Sequence, residues 1–199
     1  MALIERAKNI IMRPKQEWPV IDAEQTTVGA LYTGYIIPLS AIPPIASLIG
    51  WSVFGVSLPF VGTIRIPIGT ALGRCAVQYV LGLIGVYIVA LIIDALAPSF
   101  NGTKNQVQAL KVAAYSYTAA WVGGIFMLLP ALSIITLLFS LYGLYLLYTG
   151  LPVLMKSPAE KALGYTVVVI IAVIVLTIII GVIVGSLFSF GTGLGRAGM

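Results

Sequence analysis

An aspartate inside an apolar run, a lysine and a row of hydroxyls are the residues of this chain best placed to do chemistry. Asp94 sits three residues before the end of an apolar stretch running from about Ile68 to Ala97. Ionisable groups in such a setting are costly unless paired or hydrated. Tyr87 lies seven residues earlier, two helical turns back on the same face. On the next apolar stretch Gln108, Lys111, Tyr115 and Thr118 recur at spacings of three, four and three, a polar stripe one helical face wide. If the two stretches are adjacent antiparallel helices, Asp94 and Lys111 can pair. Tyr87, Asp94, Lys111, Tyr115 and Thr118 then form one polar cluster. A small cavity open to the cytoplasm would hold a proton, an ion or a small anion. Alternatively, a salt bridge sets the register of the helix pair and Tyr115 closes a hydrogen bond. The structural reading is preferred, because charges at interface depth cost less than charges at mid-membrane.

Tyr142, Tyr145 and Tyr148 recur every third residue further on, and their hydroxyls need partners in a dry interior. They are expected in the core of the bundle, bonding across helices, with a lipid headgroup or a pathway as the alternative. Arg74 and Gln78 lie one turn apart, and snorkelling to the interface accounts for Arg74. The chain has no histidine and one cysteine, Cys75. Imidazole ligation, Ser–His or Cys–His nucleophilic machinery and internal disulfides are thereby excluded. Asp94 is the only acid inside an apolar span, so no pair of catalytic carboxylates exists. No catalytic residue, metal ligand or cofactor site is expected.

The elements that must position these residues follow from charge. Val112 to Met155 is a run of 44 residues without a charged side chain. As one helix it would be roughly 66 Å long, about twice the ~30 Å hydrocarbon core of a bilayer. Two crossings with a turn at Leu129-Pro130-Ala131 fit it. With 60% hydrophobic and 9% charged residues and a mean hydropathy of +1.08, lipid is the main solvent. Five apolar segments emerge, at about Thr27–Trp51, Ile68–Ala97, Val107–Leu129, Ala131–Met155 and Ala162–Phe190. Pro38 and Pro43-Pro44 should kink the first or partly unwind its end. Ser52 to Pro67 is too short to cross and reads as an ordered surface loop or hairpin, with a re-entrant segment as the alternative.

Residues 1–26 read as a short amphipathic helix on the membrane surface, with Leu3, Ile4, Ala7, Ile10 and Ile11 apolar and Trp18 at headgroup depth. The interleaved charges do not form a signal peptide. Residues 27–190 form the transmembrane domain, and residues 191–199, which include a glycine-rich stretch, read as a flexible tail rather than a phosphate loop. Five crossings put the termini on opposite sides. Arg6, Lys8, Arg13, Lys15, Lys104, Lys111, Lys156 and Lys161 fall on one side, against Arg65, Arg74 and Arg196 on the other. The N-terminus is therefore expected in the cytoplasm and the C-terminus outside. The net charge of +5 then answers anionic headgroups rather than nucleic acid. Asn101-Gly102-Thr103, in a cytoplasmic loop, is a turn and not a glycosylation site. Gly69-x-x-x-Gly73 and Gly181-x-x-x-Gly185 permit close helix approach, within the bundle in preference to a dimer.

Several separated segments resemble bacterial members of the Yip1 family. They are Arg6-Ala7-Lys8-Asn9-Ile10 with Pro14 and Glu17-Trp18-Pro19; Ala109 through Tyr117; Leu141 through Tyr148 with Gly150-Leu151-Pro152; and Lys161-Ala162-Leu163-Gly164-Tyr165. The resemblance covers about Ile4 to Leu187. It implies five spans and a cytoplasmic N-terminus. Eukaryotic relatives are associated with Rab GTPases, vesicle budding and Golgi membranes, but the Glu5-to-Thr26 segment offers little surface for a GTPase.

The expected protein is all-α, a polytopic membrane protein of five helices in one bundle, in a bacterial inner membrane. It is read as a non-enzymatic organiser of membrane or partner proteins. Its partners are the lipid bilayer and either further copies of itself or other membrane proteins. The rival reading is a small transporter or oligomeric channel built on Asp94, Lys111 and Tyr115.

Overall fold

A computed structural model describes residues 3–58 and 62–193. The chain opens with two short helices, α1 (Leu3–Met12) and α2 (Pro14–Ala23). Pro14 has no N–H to continue α1, yet its fixed φ suits the first turn of a new helix. The arm therefore bends at Arg13 and folds back as a helical hairpin. Ala7, Ile10, Trp18 and Ile21 are buried against the rest of the protein, while Ile4 and Met12 point outward. One helix at the bilayer surface, with Trp18 among the headgroups, is thus corrected to two helices that rest on the bundle. Trp18 is fully buried.

The first long helix, α3 (Val28–Phe54), is capped by the Thr27 hydroxyl, which accepts from Ala30 N at 3.2 Å. Its prolines do not end it. Pro38 cannot donate to the preceding turn and its ring crowds that turn's carbonyl. The helix widens instead into a π turn over Tyr32–Ile36, with Ile37 N–H reaching Tyr32 O, and a second over Gly50–Phe54. Gly55 follows with φ +72, and a hairpin forms from β1 (Val56–Leu58) and β2 (Gly62–Ile64), Val56 opposite Ile64.

The remaining helices are α4 (Ile68–Leu96), α5 (Gln106–Gly123), α6 (Ser133–Met155) and α7 (Ala159–Gly193). Asn105 caps α5, its side chain accepting from Val107 N and Gln108 N at 3.1 Å. Between α5 and α6 the chain turns through two short 3-10 segments with Leu129 extended between them. The expected tail begins with three residues that still belong to α7, and residues 194–199 lie outside the described part.

Among the described residues four helical stretches can cross a bilayer by length and composition: Val28–Phe54, Ile68–Phe100, Pro130–Met155 and Ala159–Leu187. The expected segment at Val107–Leu129 is not among them. Its helix stops at Gly123 and carries Gln106, Gln108, Lys111 and three hydroxyl-bearing residues at Tyr115–Tyr117. α5 is instead the axis of the bundle. Twelve of its 18 residues are buried, and Gln106 alone is exposed. A helix surrounded by protein needs no lipid-facing apolar surface, so its polarity is tolerated.

Close approach to that axis depends on glycines in α6. A Cβ added at Gly143 would lie 2.8 Å from Ser116 O of α5, and one at Gly150 would lie 2.6 Å from the Trp18 ring. The expected spacing motifs have no such role, since nothing stands within 4 Å of a Cβ at Gly69 or Gly181. Gly143→Val should lower the midpoint of thermal unfolding in detergent, by a cost of about 1–3 kcal/mol for overpacking. Gly181→Val, measured alongside, should leave the midpoint nearly unchanged.

Candidate functional site

The polar stripe of α5 is real, but it faces the N-terminal arm and α3 instead of Asp94. Gln108 Nε2 donates to the Asp22 backbone at 3.2 Å and to its carboxylate at 3.1 Å. Lys111 Nζ donates to the carbonyls of Ile21 and Glu24, at 2.8 and 2.6 Å. These carbonyls belong to the last turn and cap of α2, which have no partners within the helix. A cation there also meets the negative end of the helix dipole. Further along, Thr118 Oγ1 shares a hydrogen bond of 2.7 Å with the Tyr35 hydroxyl of α3.

Tyr115 lies between these contacts. Its ring packs against Tyr35 at 4.6 Å and edge-on to Trp18 at 6.3 Å, with the Arg6 guanidinium 5.9 Å from its centroid. Arg6 is 4% exposed and forms ion pairs with Glu17 and Glu24. Two further bonds fasten the arm. Trp18 Nε1 donates to Thr149 Oγ1 at 3.0 Å, and the Tyr142 hydroxyl donates to Ile11 O, in the last turn of α1, at 2.6 Å. Outside, Lys156 pairs with Asp22 at 2.5 Å.

The expected Asp94–Lys111 pair does not form. Residues 111, 115 and 118 lie on one side of α5, whereas Ala113, Ser116 and Ala120 line the cavity shared with Val89 of α4. Lys111 is therefore directed away from Asp94. Asp94 is half-buried beside Tyr165 of α7, and its Oδ1 has no hydrogen-bond partner among the described residues. The Tyr165 hydroxyl donates to Ile93 O. Tyr87 is likewise drawn elsewhere, its hydroxyl accepting from Gln106 Nε2 at 2.5 Å. The cluster of Tyr87, Asp94, Lys111, Tyr115 and Thr118 thus separates into three neighbourhoods.

The tyrosine row separates as well. Tyr142 reaches inward, but Tyr145 and Tyr148 are 40% and 42% exposed. A step of three residues falls short of a full turn by about 60°, so two such steps drift about 120° and cannot keep one face. Arg74 and Gln78 line a cavity at the far end of α4 with Trp51 and Ser47.

The residues that sequence reasoning missed are Arg6, Glu17, Asp22 and Glu24. A signal for Arg6 was present. It falls three residues after Leu3 and four before Ile10, on the buried stripe of α1, where an unpaired cation would not be tolerated.

The Yip1 domain model matches residues 8–190. The chain belongs to the Yip1 domain family. Among curated proteins it is similar to inner membrane protein YohC of Escherichia coli strain K12. The two are 25% identical over 160 residues, covering 79% of this chain and 82% of that protein. The same figures hold for YohC of Escherichia coli O6:H1. No solved structure matches the chain. The Yip1 match begins at Lys8 and so takes in most of the arm, all of α2 and every residue of the α5 stripe.

Removing Arg6 alone would strand the buried Glu17 carboxylate. Arg6→Met should destabilise the folded protein by about 3–5 kcal/mol, the usual cost of breaking a buried pair. Removing both charges in Arg6→Met/Glu17→Met should recover a large part of that loss. Thermal unfolding of the set in detergent measures both effects.

Proposed function

We propose that this Yip1-family protein is a five-crossing, non-enzymatic membrane protein that organises membrane or partner proteins. Its N-terminus lies in the cytoplasm and its C-terminus outside. The placement in a bacterial inner membrane is carried over from the printed name of YohC. A fifth crossing by α5 is supported by its burial, because an axial helix of 18 residues, about 27 Å, can cross inside a jacket of other helices. The orientation is supported by eight basic residues on the arm side against three on the other.

The single observation that carries the non-transport reading is the fate of Lys111. The residue is 2% exposed and its ammonium is committed to two backbone carbonyls of the arm. A coupling site needs an ionisable group that a permeant ion can reach. Here the central cation instead fixes a cytoplasmic arm to the bundle. The product of that arrangement is a rigid end with an exposed outer face, suited to holding lipids, further copies of the chain or other membrane proteins.

Two experiments test this reading. Purified protein in liposomes should show no ion or proton flux above empty vesicles, and Asp94→Asn should change nothing. A flux that Asp94→Asn or Lys111→Met abolishes would overturn the proposal in favour of transport. For topology, a C-terminal alkaline phosphatase fusion should be active and the matching fluorescent-protein fusion dark. The reverse pattern would leave α5 uncrossed and put both ends in the cytoplasm.

A further inference from the structure

A groove of 230 Å³ lies where the arm meets the ends of α6 and α7, and the buried stripe makes no use of it. Its lining is mostly apolar, with Pro152, Val153 and Ala159 beside the buried Trp18 and Ala162, and Tyr148 among them. Lys15 stands at the rim with its side chain exposed.

The charges around the groove are one-sided. Lys15 forms no ion pair or hydrogen bond among the described residues, and neither does the Tyr148 hydroxyl. Of the neighbouring acids two are paired and the third lies outside the lining. Glu17 pairs with Arg6 inside the arm, Asp22 pairs with Lys156, and Glu160 is exposed on α7 outside the lining. The positive end of the α7 dipole adds to the Lys15 ammonium. Beneath this anion-seeking mouth the floor is apolar. The groove lies within the last turns of α6, which ends at Met155, and so at interface depth if α6 crosses the bilayer.

We infer that this groove seats an acidic phospholipid, its phosphate on Lys15 and the Tyr148 hydroxyl and its first acyl methylenes over Pro152 and Val153, next to the buried Trp18. A free phosphate ester would answer the ammonium but leave the apolar floor uncovered. A zwitterionic lipid would cover the floor but bring its own cation to the mouth. Tyr148, exposed and without a partner in the bundle, gains a purpose in this arrangement. The inference rests on the proposed placement of this end at the membrane surface, and it names the lipid class that end would hold.

The test uses Trp18 as reporter. The chain has three tryptophans, so Trp51→Phe/Trp121→Phe leaves Trp18 alone. The protein is reconstituted in phosphatidylcholine bilayers containing brominated phosphatidylglycerol or, separately, brominated phosphatidylcholine. The acidic lipid should quench Trp18 at a mole fraction about fivefold lower, the preference expected from one lysine near the surface. Lys15→Gln/Tyr148→Phe should abolish the preference while leaving quenching by the zwitterionic lipid unchanged. Equal quenching by both lipids in the unmodified groove, or a preference that survives Lys15→Gln/Tyr148→Phe, would overturn the inference alone. Loss of the preference on adding soluble glycerol phosphate would assign the site to a free phosphate ester and overturn the lipid. Absence of quenching by either lipid would overturn the membrane placement as well. If the tryptophan replacements fail to fold, native mass spectrometry of the otherwise unmodified protein decides the same point. Phosphatidylglycerol should be retained over phosphatidylcholine in wild type and equally with it in Lys15→Gln, and equal retention in wild type would overturn the inference.

Discussion

Burying a cation at the end of a helical bundle requires that something answer its charge, and in this protein the N-terminal arm supplies the answer. Lys111 and Arg6 are both almost wholly buried. The desolvation cost of an unanswered ammonium or guanidinium is several kcal/mol, more than most single contacts in a folded protein return. Lys111 is satisfied by carbonyls at the C-terminal end of α2, and Arg6 by Glu17 and Glu24. The dependence runs both ways. Without the arm Lys111 would lose its acceptors, and without Lys111 and Tyr142 the short helices would leave their last carbonyls unmet.

That constraint also explains why α5 is the most polar of the long helices and yet sits at the centre. One of its faces meets the arm and α3 through Gln108, Lys111, Tyr115 and Thr118. The opposite face meets α4 and α6 through small residues such as Ala113 and Ser116, and lines a cavity shared with α7. Gly143 of α6 lets the α6 backbone come against Ser116 O, and Gly150 admits the Trp18 ring. The arm, α5 and α6 thus form one continuous packed unit. α7 differs, with most of its surface apolar and exposed, as a helix bordering lipid would be.

A Yip1-family chain built this way has its rigid, polar, cation-bearing end on the arm side and a lipid-compatible jacket elsewhere. An arm fixed by buried charge presents Lys8, Arg13 and Lys15 on its outer surface, with Lys15 beside an apolar groove. Tyr148 and Lys15 contribute little to the core, and the proposed lipid groove would give them a role at the boundary between protein and lipid.

The sequence by itself determined the solvent, the helical class and four of the five apolar segments, because a charge-free run and a proline leave few alternatives in hydrocarbon. It also offered a surface loop or hairpin or a re-entrant segment for Ser52–Pro67, where residues 52–54 prolong α3 and a hairpin follows, and the stripe on α5 was readable from its spacing of three and four. What it could not determine was the partner of that stripe. Periodicity gives the face a residue occupies on its own helix but not the neighbour that face will meet. Asp94 and Lys111 are close in sequence and opposite in charge, yet α5 turns Lys111 toward residues about ninety positions away. The arm illustrates the same division. Its amphipathic pattern was plain, but an apolar face can be covered by lipid or by protein, and only the tertiary structure decided for protein. The physical reason is that the deciding acceptors, Ile21 O and Glu24 O, are backbone atoms. They exist in every sequence and become specific only when a helix ends beside a cation.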